Sequence, residues 1–391
     1  MRSIRSWSAI PVLLLLASPA AAGDVYTPLI VSTLQQRTTP VLGTDGQYHA
    51  VYELVPVNAR PGTATLERVT VADATAPDGT LAAFDAKALA PRIRTLDNRQ
   101  APNASLDSNA TRLVLLDLTL ASSSQLPRGL VHRLDTVVRA NPTAASPSPV
   151  AYTATPIAFD EEVLTIAPPL AGTHWVAFNG CCAPGVSHRS TALPVNGRLH
   201  FAQRFAIDWM QLDDKGRLFH GNPADVHSYT SYDHDVLAVA DGTVVETLDN
   251  LDDQVPGKNP DPATITIDNV DGNHVVVDLG GGRYAFYAHL RKGSLAVHPG
   301  DRVHRGQVMA KLGNTGNTSA PHLHFHLMDG PSVLGSEGIP YVIDRFALAG
   351  RIPDSAVPDD LAGDYRKFLT AEAAPRERQF PLDLDVVDFG G

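Results

Sequence analysis

The chain has 391 residues, with 42 acidic side chains against 31 basic ones and a formal net charge of −11. That balance argues against a nucleic-acid partner, which requires a basic patch, and offers no attraction toward an anionic surface. At this length two domains are expected, and two cysteines cannot supply a disulfide framework.

The chain opens Met1-Arg2-Ser3-Ile4-Arg5, continues with an apolar run over 10–17, and reaches Ala20-Ala21-Ala22. A basic start, a short hydrophobic core and small residues at the end read as a secretory signal peptide over 1–22. The run is too short to span a bilayer, and no later segment approaches that length. The mature chain is expected to begin at Gly23 or nearby, in the periplasm or outside the cell. Losing Arg2 and Arg5 takes its formal charge to −13.

Residues 23–165 carry short strand patterns over 49–57, 64–71, 112–120, 130–138 and 161–166, broken by Pro, Gly, Asn and Ser clusters. This predicts an accessory β-sandwich. It holds no repeat and no catalytic constellation. The 141–149 stretch, Asn-Pro-Thr-Ala-Ala-Ser-Pro-Ser-Pro, reads as an exposed loop or linker.

A second strand-rich domain is expected over 166–350, with Asn-Gly, Asp-Gly and Gly-Gly turns. Cys181 and Cys182 are adjacent; a ring between neighbours is strained, so a bond between them is not the default. The segment Leu193-Pro194-Val195-Asn196-Gly197-Arg198-Leu199 is a strong two-residue hairpin signal. Over 351–391 the chain turns acidic and proline-bearing, which predicts a surface tail with a short helix in 359–371 and an extended piece over 380–389.

The most informative stretch is Pro321-His322-Leu323-His324-Phe325-His326. In a strand, alternate residues share a face and stand roughly 6.6 Å apart along it. A metal with ~2.0–2.1 Å bonds to nitrogen can take one of these histidines. The next then stands close enough to serve as a base.

The flanking sequence supplies more. It contains Val236-Leu237-Ala238-Val239-Ala240-Asp241-Gly242-Thr243-Val244, then Tyr287-Ala288-His289-Leu290, Gly300-Asp301, Val303, Gly306-Gln307, and Gly313-Asn314-Thr315-Gly316 ahead of the histidine run. In that order, from about 190 to 340, these motifs resemble the lysostaphin/LytM-type zinc endopeptidases. The resemblance implies a mainly antiparallel sheet with a groove, which together with the sandwich read from the strand pattern makes an all-β chain: an N-terminal β-sandwich, then the grooved sheet. It further implies Zn2+ as cofactor and a peptide cross-link or stem of peptidoglycan as substrate. It makes Asp208 and His324 metal ligands, His322 a catalytic base, and His289 a second catalytic histidine across the groove.

At one point the chain departs from that family. The aspartate ligand normally closes a motif opened by a histidine four residues earlier, and here that position is Arg204. A ligand must come from elsewhere. His200 lies eight residues of strand, roughly 26 Å, from Asp208 if the strand runs straight. If Asn196-Gly197 is a hairpin loop, pairing carries His188 opposite Phe205, and with a bulge it approaches Asp208. His188 is therefore the favoured ligand, with His200, His220 and His227 as alternatives. His326 is expected behind the site or exposed, and His234, His298 and His304 toward solvent. The missing histidine also feeds a different reading, a catalytically silent relative that regulates other wall hydrolases. A third is a secreted zinc peptidase acting on proteins.

Overall fold

The computed structural model describes residues 24, 26–139, 148–160, 162–358 and 360–390. The expected signal peptide, Gly23 and most of the expected linker lie outside the described residues, while Ser148 and Pro149 open a strand. The chain is mostly β, as expected. Among the described residues α-helix is confined to Ala86–Leu89.

Two sheets face each other in the first half. One is built on Leu29–Thr33, Tyr48–Asn58 and Leu113–Leu120. The other is built on Thr63–Asp73, Gly129–Arg139 and Ser148–Phe159. Period-two alternation sends Ala50, Tyr52 and Leu54 between the sheets, against Leu66, Val69, Leu130 and Leu134. Val51, Glu53 and Val55 point the other way, toward the second half of the chain, and so do Leu113 and Leu115. Burial on both faces is why Leu113-Val114-Leu115-Leu116 is an unbroken apolar run; a strand with one wet face would alternate.

The second half forms one large sheet. Its main order is Leu164–Ile166, Tyr341–Arg351, Asp385–Phe389, Gly172–Phe178, Ile207–Gln211, Leu323–Met328, Arg283–Leu290, Asn273–Gly280, Gly242–Leu248 and Arg302–Val303. The strand expected over 161–166 is thus Leu164–Ile166, and it belongs to this sheet instead of the sandwich.

The C-terminal expectations need correction. In place of a helix over 359–371, a 3-10 turn at Arg366–Phe368 leads into the strand Leu369–Gln379. That strand pairs only with Tyr341–Arg351, so its Pro375 sits where a missing donor is tolerated. Nor is 351–391 a surface tail. Asp385–Phe389 is an inner strand between Tyr341–Arg351 and Gly172–Phe178, with Val386 and Val387 fully buried. Adjacent valines fill both faces of a buried strand; the acids and prolines before them masked that signal.

Cys181 and Cys182 are bonded to each other across a cis peptide, which corrects the expectation for them. Both are buried in the same core as Val41 and Val51, so the packing holds the two sulfurs together.

Candidate metal centre

Three neighbouring strands bring the histidine run and its partners together. Asp208 lies directly opposite His324, and Ala288 of the next strand pairs with His324 on the other side. Leu323, Phe325 and Leu327 enter the main core, so alternation sends His324 and His326 out of the opposite face. Cross-strand neighbours are close enough to touch, and His324 Nδ1 stands 2.9 Å from Asp208 Oδ1. His322 precedes the strand, with Nε2 at 3.3 Å from the same carboxylate oxygen.

His289 reaches the site by breaking the alternation. Tyr287 and Leu290 face the main core while Ala288 faces the other side. Strict alternation would put His289 with Tyr287. Its φ of 61° turns the side chain instead, and its ring centroid comes to 4.6 Å from that of His322. Left-handed backbone at a non-glycine residue is uncommon and carries a cost.

His188 arrives from outside the sheet. The 179–206 segment leaves after Phe178 and returns at Ile207, and Phe178 is itself paired with Asp208. The excursion therefore starts and ends beside the aspartate. His188 opens a 3-10 turn, His188–Ser190, and places Nε2 3.3 Å from Asp208 Oδ2. The hairpin argument for it is corrected. Val195 does pair with Arg198, but the pairing stops at Leu193 and His200, short of His188 and Phe205. Asp208 takes its strand partners from Phe178 and His324 instead, and no bulge is involved.

The alternatives sit elsewhere. His200 Nδ1 bonds Glu337 Oε1 at 3.1 Å. His220 and His227 are exposed, the latter against Asp225. His298 and His304 face solvent, whereas His234 is half-buried edge-on to Trp175. His326 is fully buried, Nδ1 3.0 Å from His324 Nε2, so it stands behind the site and not in solvent. Arg204 is buried in an ion-pair network with Glu53 and Glu337.

The hydrogen bonds fix which nitrogens are free. Nδ1–H of His188 donates to Ala206 O at 3.2 Å, that of His289 to Thr315 O at 2.7 Å, and that of His322 to Ala320 O at 2.7 Å. In the neutral ring the other nitrogen is then an acceptor. The Nε2 lone pair of His188 thus confronts the Asp208 carboxylate, which accepts from Asn179 Nδ2 at 2.8 Å and has His322 Nε2 against its other oxygen. Lone pairs facing a carboxylate call for a positive charge between them.

Electrostatics agree. Burial pushes His188 down to about 4, with Asp208 only partly offsetting it, so the ring is a neutral donor at ordinary pH. His289 is held well below its usual value by burial and by His322 and His324. Burial would raise the Asp208 carboxyl, but the surrounding histidines hold it well below its usual range. Burial also opposes the charged form of His322; Asp208 overrides it and raises that ring above its usual value. Ligand atoms of His188, Asp208 and His324 all lie within 4.8 Å of one another. One carboxylate and two neutral imidazoles fit zinc in chemistry and number, with a coordination position left over. His49, Asp117 and Cys182 also converge, but the Cys182 sulfur is spent in the disulfide.

The cluster lies in a groove of about 850 Å³ whose lining includes Ser187, Gln203, Pro260, Ile267 and Asn317. Two contributors escaped the sequence reading. Asn179 holds Asp208, and the Asn179-Gly180 pair just after a strand was its signal. Asp271 lines the groove, buried, and burial raises its carboxyl; nothing in a polar Asp-Gly turn marks it as buried.

Residues 225–334 match the family described as Peptidase family M23. That stretch holds His289, His322 and His324, whereas His188 and Asp208 precede it. Peptidoglycan DD-endopeptidase ShyA of Vibrio cholerae serotype O1 is 42% identical over 57 residues, 15% of this chain. The chain spans 13% of that relative's length. Among solved structures, the catalytic domain of the antimicrobial peptidase lysostaphin from Staphylococcus simulans is 23% identical, covering 37% of this chain and 80% of that one, with a TM-score of 0.22. A zinc containing peptidase from Vibrio cholerae is 12% identical over 77% of this chain and 85% of its own, with a TM-score of 0.23.

Proposed function

Because residues 225–334 belong to peptidase family M23, we propose that this chain is a zinc metalloendopeptidase that hydrolyses peptide bonds in the cross-links or stems of peptidoglycan. The observation that carries this is the convergence of His188, Asp208 and His324, whose ligand atoms lie within 4.8 Å of one another around one buried carboxylate. His188, Asp208 and His324 would hold the zinc, which supplies a Lewis acid to polarise the scissile carbonyl and activate water. The wall as substrate is supported by the name of the ShyA relative. Export to the periplasm or beyond is part of the same proposal and is supported by the leader pattern over 1–22.

The two remaining histidines divide the proton work. Their environments push them apart, and such a split marks distinct roles. His322, beside Asp208 and oriented by Ala320 O, takes the proton from the attacking water and returns it to the leaving amine. His289 stays neutral, its Nδ1–H committed to Thr315 O. Its free Nε2 is an acceptor, suited to aligning the water's hydrogen and not to donating toward an oxyanion.

A complete donor set favours an active enzyme over a silent relative. Elemental analysis of the purified chain should give one zinc per molecule, and the protein should release peptides from isolated peptidoglycan. No tightly bound metal, together with no gain of hydrolysis on adding zinc, sinks this reading in favour of the silent one. Turnover of an unfolded protein such as casein with none of peptidoglycan would move the substrate to proteins.

A further inference from the structure

The segment that delivers His188 is fastened to the N-terminal sandwich. Arg189, next to His188 in the same turn, is 1% exposed and donates to Glu53 Oε1 at 2.5 Å, Tyr52 O at 2.9 Å and Leu116 O at 3.2 Å. All three acceptors belong to the Tyr48–Asn58 and Leu113–Leu120 strands of the sandwich. Glu53 is fully buried and also receives two bonds from Arg204, at 3.0 and 2.8 Å, which in turn holds Glu337 at 2.7 Å. Burial would push the Glu53 carboxyl up, but Arg204 and Arg189 reverse this and hold it below its ordinary value.

The rest of the segment is tied down in the same way. Asn98 of the sandwich donates to Ala192 O and accepts from Ala192 N, at 2.6 and 2.8 Å. Arg94 donates to Pro184 O at 3.0 Å. Leu113 and Leu115 share an apolar cluster with Ala192 and Phe201. By contrast, His188 itself has one hydrogen bond holding its ring, to Ala206 O.

We infer that the N-terminal sandwich is a structural part of the metal centre: Glu53, acting through Arg189, positions the turn that presents His188. Arg204, standing where the family's histidine is absent, belongs to the same anchor. The chain exchanges a ligand on its own strand for one carried on a loop, and the sandwich supplies the rigidity that a strand would have given. Glu53 and Arg189 are positioning residues. This inference rests on the reading of His188 as a ligand.

The test uses the full chain carrying Glu53→Gln and Arg189→Met together. The pair removes one negative and one positive charge, and leaves Arg204 on Glu337, so no buried charge is stranded. Zinc affinity is read by competition with a chelator, and the cobalt-substituted protein gives a ligand-field spectrum that reports the donor geometry. The double variant is expected to bind zinc about 10–100-fold more weakly, the range seen when a ligand loses its support, with an altered cobalt spectrum. Asn98→Ala serves as the milder variant, and is read alone if the double variant does not fold; a smaller loss of the same kind is expected. Unchanged zinc affinity and cobalt spectrum in a folded double variant, or in Asn98→Ala where that is the only folded one, overturn the inference. His188→Ala is run alongside: wild-type zinc affinity there overturns the ligand reading itself, a separate failure.

Discussion

The two halves of the metal centre are built by different physics. Asp208 and His324 sit on paired strands, where register alone sets them face to face. His188 sits in a 3-10 turn of a long excursion, held by contacts with residues more than a hundred positions earlier. A strand site is fixed by local alternation and hydrogen-bond pairing. A loop site needs tertiary burial to fix it, and that support can be removed without touching the sheet. One candidate centre thus contains a residue pair that any sheet of this register would make, and a third member that depends on a neighbouring unit.

Substitutions sharpen this contrast, beginning with the strand. His324→Ala should lose both zinc and hydrolysis, whereas His322→Ala should keep zinc and lose about 10²–10⁴-fold in turnover, as expected for removal of a base. Metal content and peptidoglycan turnover decide it: loss of zinc in His322→Ala with retention in His324→Ala would exchange the roles. Next in size is His326→Leu. His326 backs His324 on the far ring nitrogen, and loss of that support should weaken zinc by about 10–100-fold, with turnover restored when zinc is raised. A chelator titration indistinguishable from wild type would leave His326 as mere packing. The smallest effect belongs to His200→Ala, which should keep both zinc and turnover because His200 is engaged with Glu337. Should it empty the site, the loop half of the centre has been assigned to the wrong histidine.

The strand half was legible in the chain because period two is a local property. Alternation in 321–326 and the motif order around it point to Asp208, His289, His322 and His324. The loop half was legible only by name. His188 was chosen through a hairpin register that stops five residues too early, and the contacts that deliver it, from Glu53 and Asn98, leave no periodic trace. His289 was found by its motif, but its left-handed backbone was not, since nothing in Tyr-Ala-His-Leu forbids simple alternation. Nor did Glu53 reveal the buried side of Tyr48–Asn58: an acid among apolar strand neighbours reads as a wet face, and only its pairing with Arg189 and Arg204 explains its burial.

The strand Asp385–Phe389 has a consequence for the order of assembly. It lies in the interior of the sheet, bonded to Tyr341–Arg351 on one side and to Gly172–Phe178 on the other. Its Asp385 also accepts from Arg351 Nε at 2.7 Å and from the hydroxyl of Thr44 in the N-terminal half. Contacts this distant along the chain form late in folding. While a chain is still emerging, the sheet is therefore split into two slabs with raw edges along a seam one strand away from Ile207–Gln211. The seam closes only when Asp385–Phe389 pairs on both sides. The sheet that carries Asp208 and His324 is thus completed by a strand that lies far from both in sequence.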